Sequence, residues 1–366
     1  MTKLIIHLIA AARPNFMKVA PLYHALSRED WCIPILIHTG QHYDINMSDT
    51  FFRDLNLPNP DWHLGVGSGT HAEQTAGVMI AYEKVCQVQR PDWVIVVGDV
   101  NSTMACAITA KKINLKVAHL EAGLRSRDRT MPEEINRLVT DSICDLLWTP
   151  SPDADENLQQ EGIPDRRIVR VGNIMIDSFE MLRSKIDSEH ASAVFDLKPG
   201  SFGVITLHRP VNVDDPVHLR TIFSLLIKIS EKLPLIFPVH PRTRNRLEEI
   251  GMNPDLGKAS NLHLVEPQSY IHFMSLVMDA RLVITDSGGI QEETTYLNVP
   301  CLTLRENTER PITILQGTNQ LVSLDTLVNT VESVLHAKRN IRLPIEFWDG
   351  HTAKRVVQSL KEASNQ

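Results

Sequence analysis

The sequence predicts an α/β protein built as two Rossmann-like domains, each around a parallel sheet. Three observations carry that reading. The chain has 366 residues, a little over two lengths of the ~150 residues usual for one domain. Short apolar, β-branched runs alternate with longer stretches of helical period, the pattern of βα units whose helices cover both faces of a sheet. The alternation comes in two series, separated by a mostly helical stretch after Gly172 and by the turn Lys198-Pro199-Gly200-Ser201.

In the first series, strands are expected at residues 3–10, 32–39, 93–98, 116–120, 145–149 and 168–171. The second series places them at 203–207, 235–239, 262–265, 281–285 and 300–304. Helical patterns occupy 70–89, 101–113, 216–232, 242–250 and 323–337. The expected N-terminal domain is therefore 1–172 and the C-terminal domain 173–350, with a last helix within 351–366 packed back onto the first domain. The simplest arrangement has the two domains facing each other, with the active site in the cleft between them. No repeat relates the halves and no low-complexity tract interrupts them.

Composition narrows the function classes. Hydrophobic residues make up 43% and charged residues 22%, enough to bury a sizeable core and unlike a disordered chain. The net charge of −7 argues against a general nucleic-acid or anionic-membrane footprint, so any phosphate site must be a local basic cluster. Cys32, Cys86, Cys106, Cys144 and Cys301 are scattered, with no C-x-x-C, which fits buried thiols in a reducing compartment. The 15 histidines show no metal-ligand spacing, so no metal is expected. Residues 4–12 follow Lys3 like a short signal sequence, but His7 interrupts them and Arg13-Pro14 comes at once. No apolar stretch reaches the ~18 residues of a membrane span. A first buried strand and a cytoplasmic protein are expected.

Ligands in open α/β sheets bind beyond the carboxyl ends of the strands. Three strand exits share one pattern, an apolar run, then cations, then proline: Arg13-Pro14, His208-Arg209-Pro210 and His240-Pro241. Proline alone would stop a strand and leave the cations solvated. Three such exits together with Arg310 point to an anion site, since arginine binds phosphate through paired donors and histidine can protonate a leaving oxygen. Lys18, five residues after Arg13, either joins that site or is exposed. The run Asp286-Ser287-Gly288-Gly289 follows a strand and opens a helix. Its glycines let phosphate approach backbone N–H groups at the positive helix end, although an ordinary tight turn reads the same way. It is neither G-x-G-x-x-G nor a Walker A loop, so NAD binding and P-loop hydrolysis lack support. Glu293, one turn further, either holds ribose hydroxyls or is exposed. Carboxylates form a third set: Asp99 and Glu121 follow strands, and Glu133 opens a helix within Thr130-Met131-Pro132-Glu133. Thr130 and Glu133 also have the spacing of a capping box. One domain thus offers carboxylates and the other a phosphate cradle, as a phosphorylated or nucleotide-linked substrate of acid/base chemistry requires.

Ordered along the chain are Ala12-Arg13-Pro14-Asn15-Phe16-Met17-Lys18, Thr39-Gly40-Gln41-His42, Gly98-Asp99, His119-Leu120-Glu121-Ala122-Gly123-Leu124-Arg125, Pro132-Glu133-Glu134-Ile135-Asn136-Arg137, His208-Arg209, Asp286-Ser287-Gly288-Gly289-Ile290-Gln291-Glu292-Glu293 and Thr308-Glu309-Arg310-Pro311. Together they resemble the non-hydrolysing UDP-N-acetylglucosamine 2-epimerases, from about residue 4 to beyond residue 320. The resemblance implies a glycosyltransferase-B-like fold and interconversion of UDP-GlcNAc and UDP-ManNAc without metal or other cofactor. It implies elimination of UDP across C1–C2, a 2-acetamidoglucal intermediate and re-addition of UDP. A homodimer with a UDP-sugar as its ligand, and neither nucleic acid nor membrane as partner, is the corresponding expectation. By motif, Asp99, Glu121 and Glu133 become the acid/base and cation-stabilising set, with the proton-removing member left open. His208 becomes a diphosphate contact with a catalytic role. Arg13, Lys18, His240, Ser287, Gly288, Gly289 and Arg310 become UDP or diphosphate contacts, Glu293 a ribose contact, and Phe273 either a uracil platform or a core aromatic.

The chain also departs from the family pattern. Ala-Ala-Arg-Pro-Asn stands where many members have Gly-Thr-Arg-Pro-Glu. Gln41-His42-Tyr43-Asp44 lacks a later glutamine, and the Thr70-His71 region an arginine, that resembling members use to bind a second, activating UDP-GlcNAc. Activation by substrate is therefore not expected. Tyr43-Asp44, Asn46-Met47-Ser48 and residues 131–136 are shared with epimerases acting on UDP-2,3-diacetamido-glucuronate, while Arg310 stands where those relatives tend to have tryptophan. That substrate, and a hydrolysing epimerase releasing ManNAc and UDP, are the alternatives.

Overall fold

A computed structural model describes residues 3–11, 13–40, 54–252, 261–338 and 342–365. The elements run in the order β1 (Leu4–Ala10), α1 (Arg13–Leu26), β2 (Cys32–His38), β3 (Trp62–His63), α2 (His71–Val88), β4 (Trp93–Val97), α3 (Asn101–Lys112), β5 (Lys116–Leu120), α4 (Pro132–Ile143), β6 (Leu146–Thr149), α5 (Pro152–Gln160), β7 (Ile168–Arg170) and α6 (Ile174–Glu189). They continue with β8 (Gly203–Thr206), α7 (Pro210–Val213), α8 (Pro216–Ser230), β9 (Leu235–Pro238), α9 (Pro241–Glu249), β10 (Leu262–Val265), α10 (Tyr270–Asp279), β11 (Leu282–Thr285), α11 (Gly288–Tyr296), β12 (Cys301–Thr303), α12 (Ile312–Leu315), β13 (Asn319–Leu321), α13 (Leu324–His336) and α14 (Thr352–Ser364). They divide into two compact units, the first covering 1–182 with 346–366 and the second 183–345. Helix α6 carries the chain from one to the other.

Unit 1 holds a seven-stranded sheet in the order β3-β2-β1-β4-β5-β6-β7, and every strand pairing within it is parallel. Unit 2 repeats the plan with six parallel strands, β10-β9-β8-β11-β12-β13. Both are doubly wound sheets in which strand order reverses, at β1/β4 and at β8/β11. Right-handed crossovers leaving a reversal point in opposite directions place helices on opposite faces of the sheet. The central strands must then be apolar on both sides, and Trp93 to Val97 are all buried. One face of the first sheet packs Ile37, Val94, Val96 and Val117 against Val78, Tyr82 and Val85 of α2 and Ala105 and Ala110 of α3. In unit 2, Ile205, Phe237, Ile284 and Leu302 meet Leu219, Phe223 and Leu226 of α8 and Leu327 and Val331 of α13.

The expected strands are all present, most with ends shifted by one residue. Two more, β3 and β13, are short edge strands with little apolar pattern of their own. Asn319 of β13 is fixed by its surroundings instead, bonding Thr303, Gln291 and Thr313. The Thr130–Glu133 capping box does not form. Pro132 takes the first helical position of α4, Met131 is the cap without a side-chain bond, and the Thr130 hydroxyl turns back to Asp128.

Helix α14 belongs to unit 1 and packs on α1. Asp177 of α6 accepts from the backbone N–H groups of Thr352 and Ala353 at 3.1 and 2.8 Å, acting as a cap supplied from another helix. Trp148 donates to Ser359 and Trp348 to the Pro150 carbonyl. Asp177→Ala orphans two buried donors, and a loss of about 1–3 kcal/mol is expected. All five tryptophans lie in unit 1, so urea unfolding followed by tryptophan fluorescence reads this effect.

Candidate active site

The carboxyl ends of β1, β4 and β5 are neighbours at the reversal point of the first sheet. Lys18, on the second turn of α1, donates to Glu121 Oε2, directly after β5. Asn15 on the same helix donates to the Val97 carbonyl at 3.1 Å. Gly98 has a φ of +68°, and a Cβ built there would lie 3.2 Å from Lys18 Nζ and 3.5 Å from Glu121 Oε2. Glycine thus lets the β4 exit turn left-handed against the Lys18–Glu121 pair and brings Asp99 beside it. Glu121 itself has a φ of +71°, a conformation costing roughly 1–2 kcal/mol for an L residue. It is buried, and its Oε1 has no hydrogen-bond partner among the described residues. Strain and an unmet buried acceptor at one residue mark a functional position.

Asp99 is half-buried and pairs with Arg137 at 2.5 Å, while Asn136 donates to the Asp99 carbonyl at 2.8 Å. Arg137 also pairs with Glu134, which accepts from the Ser126 and Arg127 backbone at 3.0 Å. Burial works against the ionised Glu134, but these donors hold its carboxyl below the usual range. Behind them, Asp141 bonds His119 Nδ1 at 2.6 Å and accepts from Gly123 N–H and Arg125. His119 Nε2 donates to the Gly98 carbonyl at 2.8 Å. One buried carboxylate therefore braces the exits of both β4 and β5. Burial opposes its charge, and His119 and Arg125 still depress its carboxyl.

In unit 2 the exits of β9, β8, β11 and β12 are adjacent and carry His240, His208, Ser287 and Arg310. Asp286 is fully buried at the end of β11 and accepts from His208 N–H, from Arg209 N–H at 2.9 Å and from Asn212 Nδ2 at 2.9 Å. Its Oδ1 also meets His208 Nδ1 at 3.0 Å. Burial resists its charge, but His208 leads the donors that pull its carboxyl down. With Nδ1–H on Asp286, the exposed His208 ring turns Nε2 outward. Ser287 caps α11 without a side-chain bond, so the first N–H groups of the helix are left for an anion. A Cβ on Gly288 would lie 2.5 Å from both Arg310 Nη1 and Glu309 Oε1, whereas one on Gly289 would meet nothing within 4 Å. Gly288 thus admits Arg310 beneath the helix end, and Gly289 opens the space in front of it.

Arg310 is buried and pairs with Glu292 at 2.9 Å and Glu309 at 2.5 Å. Glu309 also takes Arg305, and the two cations overcome burial to hold its carboxyl well below the usual range. Glu293 is buried on α11 and accepts from Tyr270 Oη at 2.6 Å. Burial, aided by Glu292, pushes the Glu293 carboxyl up to about 7 against that hydrogen bond. Phe273 is half-buried on α10, and His240 is exposed at the head of α9.

Of the residues read from sequence, Lys18, Asp99 and Glu121 converge in unit 1. His208, Ser287, Gly288, Gly289 and Arg310 surround the β8/β11 reversal in unit 2. Glu133 stands exposed on the first turn of α4, while its neighbour Glu134 is buried in the network. Arg13 begins α1, but its side chain, like Gln41 and His42, lies outside the described residues. Sequence reading gave no separate role to Arg137, Glu134, Asp141, Asp286 or Tyr270, although Arg137, Glu134 and Asp286 sit within its motifs. Among the described residues, no group of three His, Cys, Asp or Glu side chains is arranged to hold a metal ion, and no helix is long and apolar enough to cross a membrane.

Asp286→Ala strips two backbone N–H groups, an amide and an imidazole of one acceptor. A loss of about 2–4 kcal/mol is expected, read as faster amide exchange across β8 and β11.

Known proteins share the sequence and fold of this chain. A family model described as UDP-N-acetylglucosamine 2-epimerase matches residues 24–361. A UDP-N-acetylglucosamine 2-epimerase of Methanocaldococcus jannaschii is 42% identical over 362 residues, covering 96% of this chain and 98% of the relative. A solved structure of the M. jannaschii enzyme in complex with UDP-GlcNAc and UDP superposes with a TM-score of 0.89 at 41% identity, covering 98% of this chain and all of that one. A UDP-2,3-diacetamido-2,3-dideoxy-D-glucuronate 2-epimerase of Pseudomonas aeruginosa is 38% identical over 332 residues, covering 89% of this chain and 91% of the relative. The two-sheet architecture is of the glycosyltransferase-B-like kind, and the chain belongs to the UDP-N-acetylglucosamine 2-epimerase family.

Proposed function

We propose that this protein interconverts UDP-GlcNAc and UDP-ManNAc by inverting C2, without metal or nicotinamide. The observation that carries the reading is Glu121: strained, buried, bound through one oxygen to Lys18 and with the other unmet among the described residues, beside an Arg137-held Asp99. A carboxylate in that state is equipped to take or return a proton.

In the forward direction a carboxylate of the Asp99, Glu121 and Glu133 set removes the C2 proton. The C1–O bond breaks, its electron pair leaves with UDP, and the C2–H pair becomes the C1=C2 bond of 2-acetamidoglucal. Return of a proton to the other face of C2 and attack of a UDP oxygen on C1 close the cycle. The C2 hydrogen is weakly acidic, so charge stabilisation on the departing diphosphate supplies much of the driving force. By the family resemblance the groups proposed for it are the α11 N-terminus, Ser287, Gly288, Gly289, His208, His240 and Arg310, together with Arg13 and Lys18. Glu293 takes the ribose hydroxyls and Phe273 packs on uracil. Delivery to two faces requires more than one acid/base group, which the carboxylate set meets. The reading extends to a cytoplasmic homodimer serving polysaccharide biosynthesis, on the strength of the family resemblance.

The deciding test is proton NMR with UDP-GlcNAc in D₂O. Appearance of UDP-ManNAc with deuterium at C2 of both sugars is expected. Free ManNAc with UDP identifies a hydrolysing enzyme instead, and inertness with turnover of UDP-2,3-diacetamido-glucuronate identifies the second substrate.

Two substitutions check the roles. Glu121→Gln is expected to leave UDP affinity within a few-fold and lower turnover by at least ~10²-fold, the scale of general acid/base catalysis. Arg310→Ala is expected to weaken UDP binding by about tenfold or more, the scale of a charged hydrogen bond, measured by calorimetric titration.

A further inference from the structure

Tyr270 is the first residue of α10, entered through the Ser269 cap, whose hydroxyl accepts from His272 N–H. Its hydroxyl crosses to α11 and donates to Glu293 Oε1 at 2.6 Å. Phe273 follows three residues later, one turn along the same face of α10. The groups offered above for uracil and for ribose are thus tied to one helical face.

We propose that Tyr270 is the positioning residue of a ribose subsite, fixing the Glu293 carboxylate so that it presents acceptor lone pairs to the vicinal hydroxyls of a uridine nucleotide. The proposal rests on the reading of Glu293 as a ribose contact. A diol offers two O–H donors, so its best receptor is an ionised carboxylate in a fixed plane. Glu293 is 3% exposed, and a carboxylate so enclosed turns protonated unless donors hold its charge. The titratable groups acting on it are Tyr270 from α10 and Glu292 from its own helix. Tyr270 supports the charge, Glu292 opposes it, and Glu292 is itself engaged by Arg310, which Glu309 shares. Of the other titratable side chains on α10, His272 pairs with Glu189 and Asp279 accepts from Ser192 Oγ at 2.8 Å.

The sign follows. The Glu293 carboxyl lies at about 7, so diol binding strengthens as pH rises through that value. Without the tyrosine hydroxyl the midpoint moves higher, and binding at neutral pH falls while binding in alkali is retained.

The test titrates the full-length protein calorimetrically with UDP and with 2′,3′-dideoxy-UDP, at pH 7 and pH 9, for the wild type, Tyr270→Phe and Glu293→Gln. Tyr270→Phe is expected to raise the UDP dissociation constant about tenfold at pH 7, the scale of one hydrogen bond to a charged group. That penalty shrinks to two- or threefold at pH 9, and dideoxy-UDP binding is unchanged throughout. If Glu293→Gln weakens UDP selectively but Tyr270→Phe binds like the wild type, the positioning role is overturned and the ribose reading stands. If Glu293→Gln leaves the preference for UDP over the dideoxy analogue intact, the ribose reading falls and the proposal with it. Equal weakening of both ligands by Tyr270→Phe, independent of pH, makes the tyrosine merely structural and overturns the proposal.

Discussion

A carboxylate taken out of water must find donors, and in this protein that requirement shapes the loops beyond the strand ends. Asp141 braces the exits of β4 and β5 through His119, Gly123 and Arg125. Asp286 gathers the His208-Arg209 loop and Asn212 onto the end of β11. Glu134 collects Ser126, Arg127 and Arg137, and Glu309 collects Arg305 and Arg310. Asp286 sits at the end of β11 and Glu309 in the loop after β12, while Glu134 and Asp141 reach their loops from α4. An uncompensated buried charge costs several kcal/mol, so each turn is held in the one shape that supplies the donors.

Against these satisfied acids, two others stand apart. Glu121 has one oxygen without a partner among the described residues and a left-handed backbone. Glu293 is held by one tyrosine, and burial wins over that bond. The fold stabilises ionised acids that organise loops and leaves poised the two proposed to meet a ligand. That contrast separates architecture from chemistry more sharply than residue type does, since all six are Asp or Glu.

Much of this was legible in the sequence. Alternating apolar runs specify buried parallel strands because no other element needs such short, two-sided apolarity, and β4 and β5 were placed within one residue. Their reversal in order was not legible, because strand neighbours depend on crossovers rather than on local pattern. The short strands β3 and β13 escaped because their pairing comes from adjacent strands. Asp99, Glu121 and His208 stand out because they follow strands, and Lys18 because it lies shortly after Arg13, and the structure has them at those positions. Asp286 was visible as part of Asp-Ser-Gly-Gly, but its grip on His208 spans 78 residues, a separation that spacing rules do not reach. The capping box at Thr130 misled for a local reason: Pro132 starts the helix where its fixed φ already fits.

The repeated strand order has a consequence for divergence. The proposed acid/base groups belong to one sheet and most of the proposed nucleotide contacts to another, each with its own core. Changes that retune the sugar side need not disturb the packing beneath the nucleotide side. A lineage built on this plan can keep UDP as a fixed handle while its hexose drifts, and two relatives named for different sugars, at 42% and 38% identity, are what such independent inheritance would leave behind.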